Sequence, residues 1–258
     1  MAWAEPFEEN SYLSSSNMTR IILFLCFTIS MAAADAGLPT LTGEEVIARM
    51  IARNQERQAA LEGYTAARRY VLENRGHHKR AEMVVRVTCH KDGSKQFETV
   101  STSGWGGAQK HVFPRLLEAE ADASRPGLRD RSRIIPENYR FTLEGTKRID
   151  GRTVYVISIQ PKTANKYLMR GRIWIDAEDY AIIHTEGEPA RNPSFWIKSV
   201  HFVHNYGKQG SFWFPVSDRS VTDVRIFGNT EVTIDYFDYA PNTFTISTAA
   251  DPGRTSLP

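Results

Sequence analysis

The stretch Arg172–His184, "RIWIDAEDYAIIH", decides how the chain is read. Three carboxylates, Asp176, Glu178 and Asp179, stand within four residues between two apolar runs. As ligands they would make a metal site; as turn residues they make the tip of a hairpin. Ile173 and Ile175 share one face of an extended run, and the alternation carries into Asp176. Ala177 to Asp179 then suit a tight loop, where Asp side chains accept backbone hydrogen bonds. A calcium loop needs more oxygen ligands at regular spacing and a glycine bend, and neither is present. The stretch reads as strand, turn and strand, which predicts antiparallel pairing.

The same pattern runs outward in both directions. Before it come "YTAARRYVLEN" from Tyr64, "RAEMVVRVTCH" from Arg80 and "QFETVSTSG" from Gln96, then "YRFTLEGTKRI" from Tyr139 turning at Asp150-Gly151 into "RTVYVISIQP". After it come "SFWIKSVHFVHNY" with "SFWFPVSDRSV", and "TDVRIFG" with "TEVTIDYFDY". Short strands joined by turn residues, with no alternating helices, predict an antiparallel sheet. One helix precedes them: Thr42 is its cap, Glu44 and Glu45 suit the positive end of its dipole, and Val46, Ile47, Met50 and Ile51 form an apolar stripe. It is expected to end near Leu61–Gly63. Between Gly104 and Asn138 the meander is interrupted by a glycine hinge, a short helix around His111–Ala121 and a Pro/Gly break at Arg125–Gly127. The fold class is mainly β (α+β), with the helix and the helical insertion available to cover one face.

At 258 residues the chain is long enough for one large domain or two small ones, and a net charge of +2 demands no nucleic-acid partner. Arg20 followed by "IILFLCFTISM" and "AAADAG" has the charged, apolar and small-residue order of a secretory signal, with cleavage after Ala34 or Ala36. The apolar run is shorter than the about 20 residues of a membrane span. Residues before Met18 are acidic and unlike a signal, so Met18 is an alternative start to Met1. The expected organisation is a signal at 1–34, one domain from 35 onward and a frayed tail after about 241. With Cys26 lost in the signal, Cys89 stands alone, so no internal disulfide is expected. At the end of an apolar strand Cys89 reads as a small buried hydrophobe. His201 and His204 point to opposite faces of a strand, and His77 and His78 sit in a turn. No hydrolase, zinc-protease or phosphate-loop motif occurs, so no catalytic residue, metal site or cofactor is assigned. "RPGLRDRSR", the local basic cluster, reads as a solvated loop.

A signal, one amphipathic helix, a long meander with a helical insertion, and Trp174-Ile175-Asp176 leading into "AEDYAIIH" together resemble the LolA/LolB/RseB-like superfamily. The hairpin "IDGRTVYVISIQP" adds to the likeness, which spans roughly Leu41 to Tyr239. It implies a curved antiparallel sheet forming an incomplete barrel, with the N-terminal helix and the insertion over its concave side. It also implies a non-catalytic periplasmic carrier of the acyl chains of a lipid or lipoprotein. The alternative is an envelope sensor or scaffold of the same fold that contacts a protein or membrane partner. No arginine is matched to the one with which the lipoprotein chaperone holds its lid closed.

Strand alternation nominates a cavity wall independently. Trp196, Val200 and Phe202 share one face of their strand, opposite Phe195, Ile197 and Val203. Phe212 and Phe214 share a face opposite Trp213, and Val232, Ile234 and Tyr236 line up in the last strand. The expected ligand-cavity residues are Trp196, Val200, Phe202, Phe212 and Phe214. Alternation fits a filled core as well as a hollow one, because it reports which residues are inside and not what volume they leave.

Overall fold

A computed structural model describes residues 41–192, 197–225 and 228–243, all within one compact unit. The expected signal segment, Phe195, Trp196 and the tail after Thr243 lie outside the described residues. Helix α1, Gly43–Ala60, begins with a full capping box: Thr42 accepts from the Glu45 backbone while the Glu45 carboxylate accepts from the Thr42 N–H. Two orphan donors are thereby satisfied. The chain then passes directly into β1, Leu61–Asn74.

Ten antiparallel strands follow. They are β1, β2 (Lys79–His90), β3 (Lys95–Gly104), β4 (Tyr139–Ile149), β5 (Arg152–Pro161), β6 (Met169–Asp176), β7 (Ile182–Pro189), β8 (Ile197–Gln209), β9 (Phe212–Val224) and β10 (Gly228–Thr243). Their order in the sheet is β3-β2-β1-β10-β9-β8-β7-β6-β5-β4. Each hairpin pairs with the next, and β10 returns to lie beside β1. Because β3 and β4 remain as unpaired edges, the sheet does not close into a barrel. The mainly β, incomplete-barrel class expected from the sequence is the one observed.

Two details differ from the sequence reading. Thr222, Asp223 and Val224 continue β9 and do not start a separate strand, since no turn residue separates them from Val221. The insertion is also more helical than expected. A π-helical turn, Ala108–Val112, runs straight into α2, Phe113–Ser124. After an extended Arg125, Pro126 then starts a further short helix, α3, Pro126–Ser132. Pro is tolerated at a first helical position, where its missing N–H would have no partner in any case. Gly104, with φ of +81°, lets the chain turn off the end of β3 into this insertion; a Cβ there would collide with the Arg80 carbonyl.

The helices define an inner face of the sheet. Under α1, Val46, Ile47 and Met50 pack on Tyr139, Ile157, Ile159, Ile173 and Ile175 of β4–β6. Under α2 and its π turn, Ala108 and Phe113 pack on Tyr70, Leu72, Met83, Val85 and Val87 of β1–β2. Each fully buried aliphatic chain contributes about 1.5–3 kcal/mol, so the two plugs are held chiefly by burial. A smaller cluster, Val154, Val156 and Trp174, lies on the opposite face of β5–β6. Both faces of these strands are therefore apolar, as their sequences suggest.

Candidate ligand cavity and the charged cluster beside it

Helix α1 covers one end of the inner face and α2 the other. At the α1 end is a cavity of about 660 Å³, bounded by α1, the start of β1, α3 and the segment after it, the start of β7 and the β8–β9 hairpin. Its apolar wall includes Met50 and Ile51 of α1, Ile134 and Ile135, Ala181 and Ile182, and Phe212 and Phe214 of β9. The polar rim includes Asn54, Arg57 and Gln58 along α1, with Asp130 and Arg133 facing them. Phe214 is the centre of an aromatic group: its ring stacks on Tyr239 at 4.5 Å and meets Tyr64 at 5.1 Å.

Of the nominated residues, Phe212 and Phe214 line this space; Trp213 between them also borders it, and Arg152 lies over the Trp213 ring. Val200 and Phe202 do not line it. They sit on β8 opposite Thr222 and Ser220, and Ser220 is six residues beyond Phe214. At about 3.3 Å per residue that is roughly 20 Å along the strand. Sharing a face is therefore not sharing a site. Trp196 falls outside the described residues.

The hairpin of the opening stretch positions α1. Asp176, 1% exposed, accepts from the backbone N–H groups of Glu178 (3.0 Å) and Asp179 (2.7 Å), and Arg152 Nε donates to its other oxygen at 2.5 Å. Burial pushes the Asp176 carboxyl up, but these donors outweigh burial and hold it below the ordinary value. Asp179 is engaged by Lys208 at 2.7 Å and by the Trp213 indole N–H at 3.0 Å. These carboxylates are turn residues. The carbonyls they leave exposed are used by α1: Arg57 donates to Asp179 O and Tyr180 O, and Arg49 donates to the Tyr180 hydroxyl at 2.8 Å. Among the described residues no group of three or more His, Cys, Asp or Glu side chains could hold a metal. Cys89 is half-buried, with its Sγ 3.7 Å from the His90 carbonyl, and burial pushes its thiol up. A raised thiol is a poor nucleophile at neutral pH.

One feature of the inner face escaped the sequence reading. Arg68 of β1 is 1% exposed and lies among Tyr70, Phe97 and Tyr236, its guanidinium 4.8 Å from the Tyr236 ring centre. Nη1 donates to Glu120 of α2 at 2.5 Å and to the Tyr70 hydroxyl at 3.3 Å; Nε, also buried, has no hydrogen-bond partner. The same Glu120 oxygen accepts from Lys95 of β3 at 2.8 Å. Burial pushes the Glu120 carboxyl up, but Lys95 and Arg68 outweigh it and hold it at about 2. Beyond Tyr236, Asp218 accepts from the Tyr236 hydroxyl and lies 2.7 Å from His204 Nδ1. The signal was present in "YTAARRYVLEN": Arg68 is in phase with Ala66, Tyr70 and Leu72, so alternation puts it inside.

Comparison with known proteins finds partial likenesses within the superfamily that the sequence resembles. The family model for the MucB/RseB N-terminal domain matches residues 83–186, and a family of unknown function (DUF5686) matches 136–240. The chain is similar in structure to a LolA superfamily protein from Nitrosomonas europaea, at 9% identity and a TM-score of 0.39. That alignment covers 80% of this chain and 96% of the other. It is also similar to a putative outer membrane lipoprotein-sorting protein domain from Vibrio parahaemolyticus, at 14% identity and a TM-score of 0.40, covering 78% and 94%. The MucA/MucB complex of Pseudomonas aeruginosa gives 11% identity and a TM-score of 0.26, covering 78% and 99%. None of the curated proteins compared matches the sequence. No helix among the described residues is long and apolar enough to cross a membrane.

Proposed function

We propose that this chain is an exported, non-catalytic carrier that holds the acyl chain of a lipid or lipoprotein between α1 and the β8–β9 hairpin, in the periplasm or an equivalent compartment. The observation that carries this reading is the cavity of about 660 Å³, apolar in its wall and polar at its rim. Its size falls within the about 300–1,000 Å³ of sites that bury a small ligand. An amphiphile fits such a space, with its chain against Ile51, Ile182 and Phe214 and its head towards the rim.

The matched MucB/RseB segment favours a second reading, in which the same fold is an envelope sensor or scaffold that contacts a protein or membrane partner. The two readings separate in a titration with an environment-sensitive fluorescent fatty acid. The carrier binds it saturably, and lengthening the chain tightens binding by about 0.8 kcal/mol per buried methylene. Ile51→Trp, which narrows the space from the α1 side, weakens binding while leaving the unfolding midpoint nearly unchanged. Absence of binding by the parent protein would leave the sensor reading in possession of the fold.

A further inference from the structure

We infer that the rim of the cavity is a head-group site: Arg57 of α1 and Arg133, just past α3, hold the oxyanion of an amphiphile, a carboxylate or a phosphate, whose chain lies in the apolar space. The inference rests on the carrier reading and narrows it to acid-headed ligands. Both arginines themselves border the cavity.

Arg57 is a half-buried cation without a counter-ion. It donates to Asp179 O at 2.9 Å and Tyr180 O at 3.3 Å, two main-chain carbonyls that carry no net charge. Its other N–H groups have no hydrogen-bond partner among the described residues. The Asp179 carboxylate, whose field reaches it, is already held by Arg152, Lys208 and the Trp213 indole N–H. Other arginines of the sheet are matched differently: Arg68 has Glu120, and Arg152 has Asp176. Burial pulls the Arg57 guanidinium below its ordinary value, against the field of Asp179. A partly desolvated charge of this kind is stabilised by an anion brought to it.

Arg133 faces it across the rim. Its carboxylate contact is Asp130, three residues back and 3.9 Å away, with the two side chains 44% and 62% exposed. A long, solvated pair of that kind holds little. The Arg133 carbonyl, by contrast, accepts from the Ile135 N–H at 3.1 Å and from Asn138 Nδ2 at 2.9 Å. The backbone is therefore pinned beside the cavity, while the guanidinium is tied only by the long pair to Asp130.

The charge of the lining sets the class of head. Among the described residues that border the space, Asp130 is the one carboxylate against two arginines, and the remaining polar side chains of α1 are the neutral amides of Asn54, Gln55 and Gln58. A cationic head would meet two like charges, and a neutral head would leave Arg57 without a counter-ion. A carboxylate or phosphate supplies the missing charge and offers paired oxygens to the edge of a guanidinium. With the chain against Ile51, Ile182 and Phe214, which border the same space, the head lies at the rim without any group having to leave its place.

The experiment compares four probes of one chain length on the full protein: a fatty acid, a lysophosphatidate, the fatty-acid methyl ester and the fatty alcohol. The acids are expected to bind at least about tenfold tighter than the ester and the alcohol. The tighter of the two acids identifies the head as carboxylate or phosphate. Arg57→Met is expected to lower acid affinity about tenfold, and Arg133→Met to lower it by a smaller factor, with ester binding unchanged in Arg133→Met. Equal binding of acids and ester by the parent overturns the inference and leaves the carrier reading standing; no binding of any probe overturns both. Because Arg57 also ties α1 to the β6–β7 turn, Arg57→Met can weaken every probe alike. Arg133→Met, which removes no tie of the fold beyond the long pair to Asp130, then decides, and an unchanged ratio of acid to ester affinity in that variant rejects the site.

Discussion

The two ends of the inner face are plugged by different physics. Helix α1 rests on β4–β6 through aliphatic contacts, with its polar ties directed outward to the carbonyls of the β6–β7 turn. Helix α2 rests on β1–β2 through an apolar patch plus a buried charge cluster that has one member on the helix. An apolar contact has no partner to exchange, whereas an ion pair can be traded for another ion of the same sign. Burial holds both plugs, and α2 alone adds a buried ion pair to the sheet, so its attachment depends in part on charge.

Breaking the α2 end has the largest expected effect. Glu120→Leu strands the buried Arg68 guanidinium and is expected to cost about 3–5 kcal/mol in urea unfolding. Adding Arg68→Met to it should recover much of that loss, because two apolar groups replace a broken pair. A double variant no more stable than Glu120→Leu alone would show that the pair does not couple the helix to the sheet.

The same cluster predicts a pH dependence. The Glu120 carboxyl sits at about 2 in the fold against an ordinary value of 4.5. A depressed folded value means that the unfolded chain binds the proton more readily. The contribution is therefore fully present above about pH 4.5 and is lost as pH falls from there towards about 2. Unfolding midpoints followed through this window should drop more steeply in the parent than in Glu120→Gln; parallel curves would contradict the assignment.

At the α1 end the expected effects are smaller. Ile47→Val, deleting one methyl from the packed stripe, is expected to cost about 0.5–1.5 kcal/mol with no dependence on acid. Thr42→Ala removes half of the capping box and is expected to cost about 1 kcal/mol by thermal or urea unfolding. Smallest of all is Glu178→Ala. The Glu178 side chain is 84% exposed, so stability should stay within about half a kcal/mol. A calcium-dependent rise in melting temperature that this variant abolishes would reverse the reading of the hairpin tip.

How much of this was legible in the sequence depended on the distance over which each feature is determined. β4 and β5 were read with their observed bounds, because period-two alternation is interrupted by Asp150-Gly151, both at positive φ (48° and 80°) as a tight hairpin turn requires. Thr42 and its box were legible for the same local reason. The cavity was not. Phe214 and Phe202 are both apolar residues of central strands, and only the register, shifted between Asn205 and Tyr206, puts one against the cavity and the other roughly 20 Å away. Arg68 could have been found from its phase in β1, but its partners Glu120 and Lys95 come from distant segments, and no local pattern announces their meeting.

The central claim is that the space between α1 and the β8–β9 hairpin holds an amphiphile, and a native mass spectrum of the protein purified from its own host tests it most directly. The account predicts a species heavier than the chain by one lipid that dissociates on activation. A spectrum showing the bare chain, or the chain with a bound protein and no lipid, would contradict it.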